Sequence, residues 1–370
     1  MNPGQSAVPT TAAQLPDGLP TPATVVFADR LERNLTAMAD FARTARIALR
    51  PHAKTHKCVE IARRQLDLGA RGLSVATIGE AEALLAANQL QPADIFIAYP
   101  LWAENDDLDR LARLAQRARI TVGADSARAV RRLAPLAGQI QVMLELESGL
   151  RRTGTRPGAA EQLAQVVQDA QLELTGVFTF PGHSYAPGAG GSAAADEAAA
   201  LTEGAAQLAA AGFPGLERSG GSTPSAMHTH TGAVTELRPG VYVFNDAMQV
   251  ELGTVTMDQV ALMVTATVVS RPEPGRLVLN AGSKVLGPDR PAWIRGHGRL
   301  PDWPTARITG LWEHHAVVAL DDDPGPALGD TVAVIPNHCC TAVNLVPELV
   351  VVENQQIVDR WRVAARAANR

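Results

Sequence analysis

The sequence predicts an α/β fold in which a (β/α)8 barrel of the TIM type is followed by a β-rich C-terminal domain. Two observations predict it. In the first part of the chain, short apolar segments alternate with segments of helical periodicity, which is typical of a parallel sheet covered by helices. After Asp246, alternating β-branched segments are separated by Pro and Gly clusters without clear helices. An open doubly wound sheet is the alternative architecture for the first part.

The elements of the first part repeat one unit of strand, loop and amphipathic helix. Ala23–Phe27 is the first apolar segment, and Asp29 is a candidate cap for a helix over Arg30–Thr44. The further strand candidates are Ile47–Leu49, Gly72–Val75, Ile95–Ala98, Ile120–Val122, Gln139–Leu146, Leu172–Thr179 and Leu216–Ser219. Helical segments between them are Cys58–Leu68, Ile78–Ala87, Leu108–Ala118, Ala127–Ala137 and Ala159–Ala170. Roughly eight such units suit a closed barrel.

The second part contains β-branched runs with little helical periodicity. The strand candidates there are Val260–Ser270, Arg276–Asn280, Ala306–Leu311, Ala316–Leu320 and Thr331–Ile335. We therefore divide the chain into an N-terminal arm over residues 1–20, a barrel domain over 21–250 and a β-rich domain over 251–370. The first residues of the barrel domain could join the β-rich domain.

The bulk composition excludes several classes of function. A formal net charge of −5 does not favour binding to nucleic acid or to an anionic membrane. Three cysteines, two of them adjacent, make a poor disulfide framework and fit free thiols or a metal ligand in a reducing compartment. We see neither a signal peptide nor an apolar run of the ~20 residues that span a bilayer. We expect a cytoplasmic protein with a small-molecule substrate.

A basic segment, Arg-Pro-His-Ala-Lys-Thr-His-Lys over 50–57, follows the strand Ile47–Leu49. Residues directly after a barrel strand lie at the catalytic face. A lysine there, Lys54, lies between His52 and His56, and a cationic neighbourhood lowers a lysine pKa and favours the free amine that imine chemistry needs. A solvated basic loop explains the composition equally well. Lys57 is expected at a helix start or on the surface, with the two histidines in support.

Two glycine-containing segments have the composition of an anion site. Ser219-Gly220-Gly221-Ser222-Thr223-Pro224 combines hydroxyls with glycines that let the backbone approach a ligand, which suits a phosphate. In Leu237-Arg238-Pro239-Gly240, the Gly240 N–H could join the same phosphate and Arg238 could reach a ring nitrogen. An ordinary turn and a surface arginine are the simpler interpretations. His183 and Tyr185 follow another strand and are candidate pocket residues.

The segment Ile335-Pro336-Asn337-His338-Cys339-Cys340 follows an apolar strand. In an extended chain, His338 and Cys340 project to the same side, whereas Cys339 points away. An imidazole and a thiolate form a zinc-type pair that leaves positions open for water or substrate. A buried histidine beside core cysteines is the alternative, and for this segment alone it is the favoured one.

Taken together, these segments resemble the pyridoxal 5′-phosphate (PLP) enzymes with an alanine-racemase-like barrel, and most closely the D-serine dehydratase and D-threonine aldolase family. The resemblance extends over about residues 20–366 with the motifs in the expected order. Besides the segments above, it includes Thr21-Pro22, Glu147-Ser148-Gly149 with Arg152 and Gly154, Pro181-Gly182-His183-Ser184-Tyr185, Asn344-Leu345 and Trp361-Arg362-Val363. Glu147 stands where an aspartate is more usual, and Cys339 adds a second thiol.

The resemblance implies a barrel that holds PLP and a β-rich domain that carries metal ligands. Lys54 would be the Schiff-base lysine, Arg238 would face the pyridine nitrogen and Arg152 would lie near the phenolic oxygen. The phosphate would be held by Gly221, Ser222, Thr223, Gly240 and Val241, and the pocket would include His183, Tyr185 and Tyr242. The metal ligands would be His338 and Cys340. A homodimer is also implied.

The metal pair favours one reaction within the family. A histidine–cysteine pair resembles the zinc-dependent dehydratases, whereas the metal-dependent aldolases tend to have aspartate in the second place. We therefore expect a zinc-dependent dehydratase of D-3-hydroxy amino acids such as D-serine, which yields a 2-oxo acid and ammonia. The alternatives are an aldolase with Mn or Mg that yields glycine compounds and an aldehyde, a non-catalytic PLP-binding barrel protein, and a cofactor-independent racemase or metal hydrolase.

Overall fold

A computed structural model describes residues 11, 14–86, 90, 93–321 and 324–370. By their internal contacts the residues divide into two compact units. The barrel unit comprises Leu35–Tyr242 and Ala367–Arg370, and the β unit comprises Met1–Asn34 and Val243–Arg366. The predicted boundaries at residues 20 and 250 concern folding domains and stay a prediction. Residues 1–10, 12 and 13 of the predicted arm lie outside the described residues.

Strands and helices are numbered along the whole chain. The strands are β1 (Ala23–Phe27), β2 (Ala48–Leu49), β3 (Leu73–Val75), β4 (Asp94–Pro100), β5 (Arg119–Ala124), β6 (Gln141–Glu145), β7 (Glu173–Phe178), β8 (Glu217–Gly220), β9 (Glu236–Leu237), β10 (Leu262–Glu273), β11 (Arg276–Leu279), β12 (Gly298–Arg299), β13 (Arg307–Leu311), β14 (Ala316–Ala319), β15 (Thr331–Pro336), β16 (Glu348–Glu353) and β17 (Gln356–Arg362). The helices are α1 (Ala28–Ala45), α2 (Val59–Asp67), α3 (Ile78–Ala86), α4 (Asn105–Ala115), α5 (Ala127–Leu133), α6 (Ala160–Asp169), α7 (Gly190–Ala210), α8 (Ala247–Glu251), α9 (Ser283–Leu286) and α10 (Cys339–Leu345).

The barrel unit contains eight parallel strands in the order β2-β9-β8-β7-β6-β5-β4-β3. A parallel bridge between His52 and Ser74 joins the two ends of this order. There the Ser74 N–H donates to the Pro51 carbonyl at 2.8 Å, so the ring is closed. The predicted barrel is therefore confirmed, and the doubly wound alternative is wrong.

Apolar side chains fill the interior of the ring. Phe96, Met143 and Phe178 form a buried cluster, in which the two phenylalanine rings meet edge to face with centroids 5.0 Å apart. Strands covered by helices are buried on both faces, which explains why their sequences are apolar runs and do not alternate. The helices between them bury one apolar stripe each.

The β unit is built on a nine-stranded sheet with the order β13-β14-β11-β10-β1-β16-β17, while β15 pairs with both β10 and β12. β1 lies antiparallel to β10, with Val25 opposite Met263, and parallel to β16, with Val26 opposite Val351. The predicted β-rich second part is confirmed.

Three elements differ from the sequence prediction. β1, the first apolar segment, pairs in the sheet of the β unit, so the first strand of the barrel is β2. Two-residue β9 completes the ring, but its buried Glu236 gives it no apolar strand pattern. Helix α10 begins within the segment predicted to be extended. None of the helices in the described part of the chain combines the length and apolar character needed to span a bilayer.

Candidate active site

Four segments that the sequence singles out follow strands of the barrel. They are the 3-10 turn Ala53–Thr55 after β2, the 3-10 turn Gly182–Tyr185 after β7, residues 221–223 after β8, and residues 238–242 after β9. Because the strands are parallel, these segments share the carboxyl-terminal edge of the ring, which is the catalytic face of such barrels. The structure therefore brings the candidate cofactor residues to one edge.

Arg50 fixes the start of the segment that carries Lys54. Its guanidinium is buried and donates to Glu236 Oε2 at 2.8 Å and to Asp94 Oδ1 at 2.7 Å. These carboxylates belong to β9 and β4, so the chain leaving β2 is tied to two other strands. A planar guanidinium suits such a double contact better than an ammonium group.

His56 ties the other side of the segment to the barrel wall. His56 Nδ1 lies 3.1 Å from both the backbone nitrogen and the carbonyl oxygen of Cys58, and Nε2 lies 3.2 Å from Gln65 Oε1. Gln65 Nε2 in turn donates to Tyr242 Oη at 2.9 Å. All these side chains are buried, and burial raises the pKa of Tyr242. Tyr242 is thus a protonated phenol held against α2, and its predicted contact with the cofactor stays a prediction.

Lys57 directly precedes Cys58, the N-cap of α2, as the helix-start expectation has it, but its side chain is buried and not on the surface. Its residue exposure is 5%, and its Nζ lies 3.2 Å from Glu80 Oε1. Glu80 Oε2 also accepts the Ala76 N–H at 2.7 Å. Lys57 is buried because a carboxylate of α3 neutralises it, a partner that the local sequence does not reveal.

The Lys54 side chain lies in an aromatic and cationic environment. Lys54 Nζ is 5.5 Å from the centroid of the Phe180 ring, and Arg152 Cζ is 5.1 Å from the same centroid. Burial and the positive charges of Lys54 and Arg238 hold the pKa of His52 well below its usual range. His52 is therefore a neutral imidazole, and its buried Nδ1 forms no hydrogen bond within the described residues.

The glycine-rich loop after β8 is already extensively bonded within the protein. The Gly221 N–H donates to Glu197 Oε1 at 2.7 Å, and the Ser222 N–H donates to Ser225 Oγ at 3.0 Å. Gly221 has φ of +86°, and a Cβ there would lie 2.5 Å from a Leu237 methyl carbon. Gly221 therefore shapes the loop by its conformation, and its N–H is not available to a phosphate.

Three other N–H groups remain as donors. Within the described residues, the backbone N–H groups of Thr223, Gly240 and Val241 have no hydrogen-bond acceptor. A Cβ at Gly240 would lie 2.6 Å from Thr55 Oγ1 and 3.1 Å from the His52 carbonyl, so only glycine allows this close approach. Unused N–H groups beside glycines suit an anion, and this edge therefore fits the phosphate of PLP.

Glu197 is a site residue that the sequence analysis missed. It lies on α7, is fully buried and accepts from Thr179 Oγ1 at 3.0 Å as well as from the Gly221 N–H. Its Oε2 has no hydrogen-bond partner within the described residues. Burial raises the pKa of Glu197 to about 7, although its two hydrogen bonds and Arg238 act in the opposite direction.

Arg238 extends into the barrel between aromatic rings. Its Cζ lies 5.5 Å from the centroid of Phe96 and 5.3 Å from that of Phe178. Nε donates to Ser219 Oγ at 2.9 Å, and Nη2 donates to the Thr179 carbonyl. Nη1 donates to no acceptor among the described residues. A fixed guanidinium with one free nitrogen fits the predicted role opposite a pyridine nitrogen.

His183 pairs with a carboxylate at the same edge. Its Nε2 lies 3.1 Å from Asp196 Oδ2, and its buried Nδ1 forms no hydrogen bond within the described residues. Tyr185 is half-buried at the end of the same turn. Both side chains follow β7 as predicted, and their contacts with a cofactor stay a prediction.

The predicted metal pair lies in the β unit, where His338 precedes the first residue of α10. The extended geometry that we invoked for residues 338–340 is wrong, because Cys339 and Cys340 form the first turn of that helix. Burial lowers the pKa of His338, but its contacts with Cys340 and Asp246 raise it well above the usual range. The His338 imidazole is thus in hydrogen-bond contact with the Cys340 thiol, although residues 339 and 340 are helical.

Cys340 remains the better candidate ligand of the two cysteines. Cys339 is fully buried, and burial raises the pKa of its thiol well above the usual range, whereas Cys340 is half-buried. A thiol that stays protonated is a poor ligand. An imidazole and a thiol in contact fit a zinc ion, and no group of three or more His, Cys, Asp or Glu side chains with metal-binding geometry occurs among the described residues.

Comparisons with known proteins agree with the fold. Residues 26–247 match the family described as alanine racemase, N-terminal domain, and residues 261–352 match the putative serine dehydratase domain. A D-threo-3-hydroxyaspartate dehydratase of Delftia sp. (strain HT23) is 31% identical over 353 residues, which cover 87% of this chain and 91% of the relative. A D-threonine aldolase of Arthrobacter sp is 34% identical over 373 residues, which cover 95% and 93%.

Two solved variants of D-threo-3-hydroxyaspartate dehydratase share the fold. In one a histidine is replaced by alanine, and in the other, a metal-free form, a cysteine two positions further on is replaced by alanine. Their TM-scores are 0.85 and 0.84 at 29% and 28% identity, and the matches cover 93% and 96% of this chain and 95% and 99% of theirs. The chain therefore belongs to the D-serine dehydratase and D-threonine aldolase family, with an alanine-racemase-like barrel.

Proposed function

We propose that the protein is a PLP- and zinc-dependent dehydratase that converts D-3-hydroxy amino acids such as D-serine into a 2-oxo acid and ammonia. The contact between His338 and Cys340 carries the proposal. Thiolate ligands select zinc, whereas carboxylates suit magnesium or manganese. The dehydratase relative supports this choice, because its metal-free form carries a cysteine-to-alanine change two positions after a histidine.

The barrel unit supplies the groups for the cofactor and for proton transfer. When bound, PLP stabilises the negative charge that forms at the α-carbon of an amino acid. The Lys54 amine would hold the cofactor and would act as the base that removes the α-proton. The N–H groups of Thr223 and Gly240 would bind the phosphate, and Arg238 Nη1 would orient the ring. Neutral His52 adds no further positive charge to this cationic edge.

The β unit supplies the metal ligands. A zinc ion acts as a Lewis acid that makes a hydroxyl group a better leaving group. His338 would bind the ion through Nε2, because Nδ1 is hydrogen-bonded to Asp246 Oδ2 at 3.1 Å. Cys340 supplies the second ligand. Two protein ligands leave positions for water or for a substrate oxygen, as in catalytic zinc sites.

An aldolase is the second candidate, favoured by the Arthrobacter relative at 34% identity over 95% of this chain. If the substrate hydroxyl loses its proton and does not leave, the bond between Cα and Cβ breaks. The products are then glycine and an aldehyde, and the metal is manganese or magnesium.

Product analysis separates the two reactions. The protein is loaded with PLP and zinc and incubated with D-serine, D-threonine and D-3-hydroxyaspartate. We expect 2-oxo acid and ammonia in equal amounts. Glycine with an aldehyde as the main products would overturn dehydration in favour of aldol cleavage. Chelation should abolish turnover and leave the visible absorbance of bound PLP, and full activity of metal-free protein would contradict the zinc assignment.

Lysine variants test the cofactor attachment. K54A should lose the visible absorbance of bound PLP, because no other group is assigned to hold the aldehyde carbon. K284A is a matched control, since Lys284 has a side-chain exposure of 56% in the β unit. An unchanged spectrum in K54A would remove Lys54 from its role.

A further inference from the structure

Asp246 is a buried carboxylate of the β unit that has several hydrogen bonds besides the one with His338. Its side chain has no exposed surface. Oδ2 accepts from His338 Nδ1 at 3.1 Å and from the Cys339 N–H at 3.2 Å. Oδ1 accepts the Gln249 N–H at 3.0 Å and so caps α8. Every bond that holds this carboxylate therefore uses one of its two oxygens as an acceptor.

The contact with Oδ2 decides which nitrogen of His338 carries a proton. An ionised carboxylate can only accept, so Nδ1 must donate, and the lone pair of the neutral ring then lies on Nε2. Metal ions bind the lone pair of a neutral imidazole, and an acceptor on the other nitrogen fixes both the tautomer and the ring orientation. The structure assigns Asp246 as the positioning residue of the metal-binding His338, an inference that rests on the proposed metal site.

The same oxygen also fixes the backbone that carries the second ligand. Because Oδ2 binds the Cys339 N–H, the first turn of α10 is held relative to the His338 ring. Cys340 is the next residue, so one carboxylate aligns the imidazole and the thiol. Asp246 itself is kept in place by capping α8 and by the Met248 N–H, which donates to the Asn337 carbonyl at 3.2 Å.

A capping role alone can be separated from this positioning role. In D246N, the amide oxygen can keep the bond to Gln249, but the amide nitrogen then faces two donors, His338 Nδ1–H and the Cys339 N–H. D246S keeps a capping oxygen and removes the acceptor for His338. Both variants therefore preserve the cap and disturb the metal-binding ring. D258N is the matched control, because Asp258 is exposed in the same unit.

The test is Zn²⁺ affinity, measured on the full-length PLP-bound protein by competition with a chromophoric chelator. We expect D246N and D246S to weaken Zn²⁺ binding about 10- to 100-fold, as for other partners of metal-bound histidines, and D258N to bind as wild type. In the H338A background, adding D246N should weaken Zn²⁺ no further, because the effect passes through His338.

Three results would overturn the inference. Equal Zn²⁺ affinity of wild type and D246N would refute the positioning role and leave the proposed function intact. An equal additional loss in the H338A background would show a structural role only. Wild-type protein that binds no Zn²⁺ would refute the proposed metal site together with the inference.

Discussion

Replacing Glu197 by glutamine should change how the stability of the barrel unit depends on pH. Glutamine matches the protonated glutamic acid in shape: its carbonyl oxygen can accept from Thr179 and Gly221 as Oε1 does. Its amide nitrogen takes the position of Oε2, which has no partner within the described residues. E197Q therefore keeps the geometry and removes the titration.

The magnitude follows from the shift in the Glu197 pKa, which burial raises from 4.5 to about 7. The unfolded chain releases this proton near the lower value, whereas the folded protein keeps it up to the higher one. Stability from this group is therefore fully present below the lower pKa and is lost as the pH rises to about 7. A shift of this size corresponds to about 3 kcal/mol.

The assay is urea unfolding of wild type and E197Q at a series of pH values between about 4 and about 8. All other titrating groups are common to both proteins, so the difference in the free energy of unfolding isolates Glu197. This difference should move in favour of E197Q by about 3 kcal/mol from acid to neutral pH and then stay constant. E203Q, a change at an exposed residue of the same helix, controls for the type of substitution.

Parallel curves for wild type and E197Q would refute the reasoning, because they would show that the pKa of Glu197 is the same in the folded and in the unfolded protein. A change of opposite sign would show that its hydrogen bonds and Arg238 outweigh burial. In both cases the Gly221 N–H, which holds the loop, would donate to a charged Glu197 carboxylate.

Two further predictions concern the same edge of the barrel. K57M should lower the free energy of unfolding by roughly 3–5 kcal/mol, since it leaves the buried Glu80 charge unpaired. Urea unfolding measures this loss, and the double variant K57M/E80Q should recover part of it. A loss below about 1 kcal/mol would contradict the buried ion pair. G240A should weaken PLP binding at least about tenfold in a fluorescence titration, because its Cβ would lie 2.6 Å from Thr55 Oγ1. G158A is its control, since a Cβ there meets no atom closer than 3.7 Å; equal PLP affinity of G240A and wild type would contradict the close approach.

The fold class could be predicted from the sequence because it depends on local periodicity. Alternating apolar and helical segments indicate a barrel wherever strands and helices are long enough to show their periods. β9 is only two residues long and includes Glu236, so no period marks it. β1 has a clear strand pattern, but the pattern carries no information about which sheet it joins, and pairing with β10 places it in the β unit.

The chemical side chains could also be predicted, because they form short clusters after strands. The residues that hold these side chains in place by hydrogen bonds could not be predicted, since they come from distant parts of the chain. Arg50 is held by Glu236, which lies 186 positions further on. Glu197 did leave a signal: it stands on the buried face of α7 together with Ala193, Ala194 and Leu201. A carboxylate on an otherwise apolar helix face is rarely buried without a partner, so helical periodicity alone marks it as a candidate.

Glu197 and Asp246 illustrate why some residues of a site can be predicted from the sequence and others cannot. Lys54, His338 and Cys340 are reactive groups, and together with the family resemblance their types indicate imine chemistry and zinc. The two carboxylates act on other side chains and backbone N–H groups, so their value depends on geometry that only the folded chain provides. Their hydrogen bonding also differs: Glu197 has one buried oxygen without a hydrogen-bond partner within the described residues, whereas each Asp246 oxygen accepts at least one hydrogen bond. Both carboxylates are fully buried, so the donors around them are what distinguishes them, and at Glu197 burial outweighs its two donors and raises the pKa.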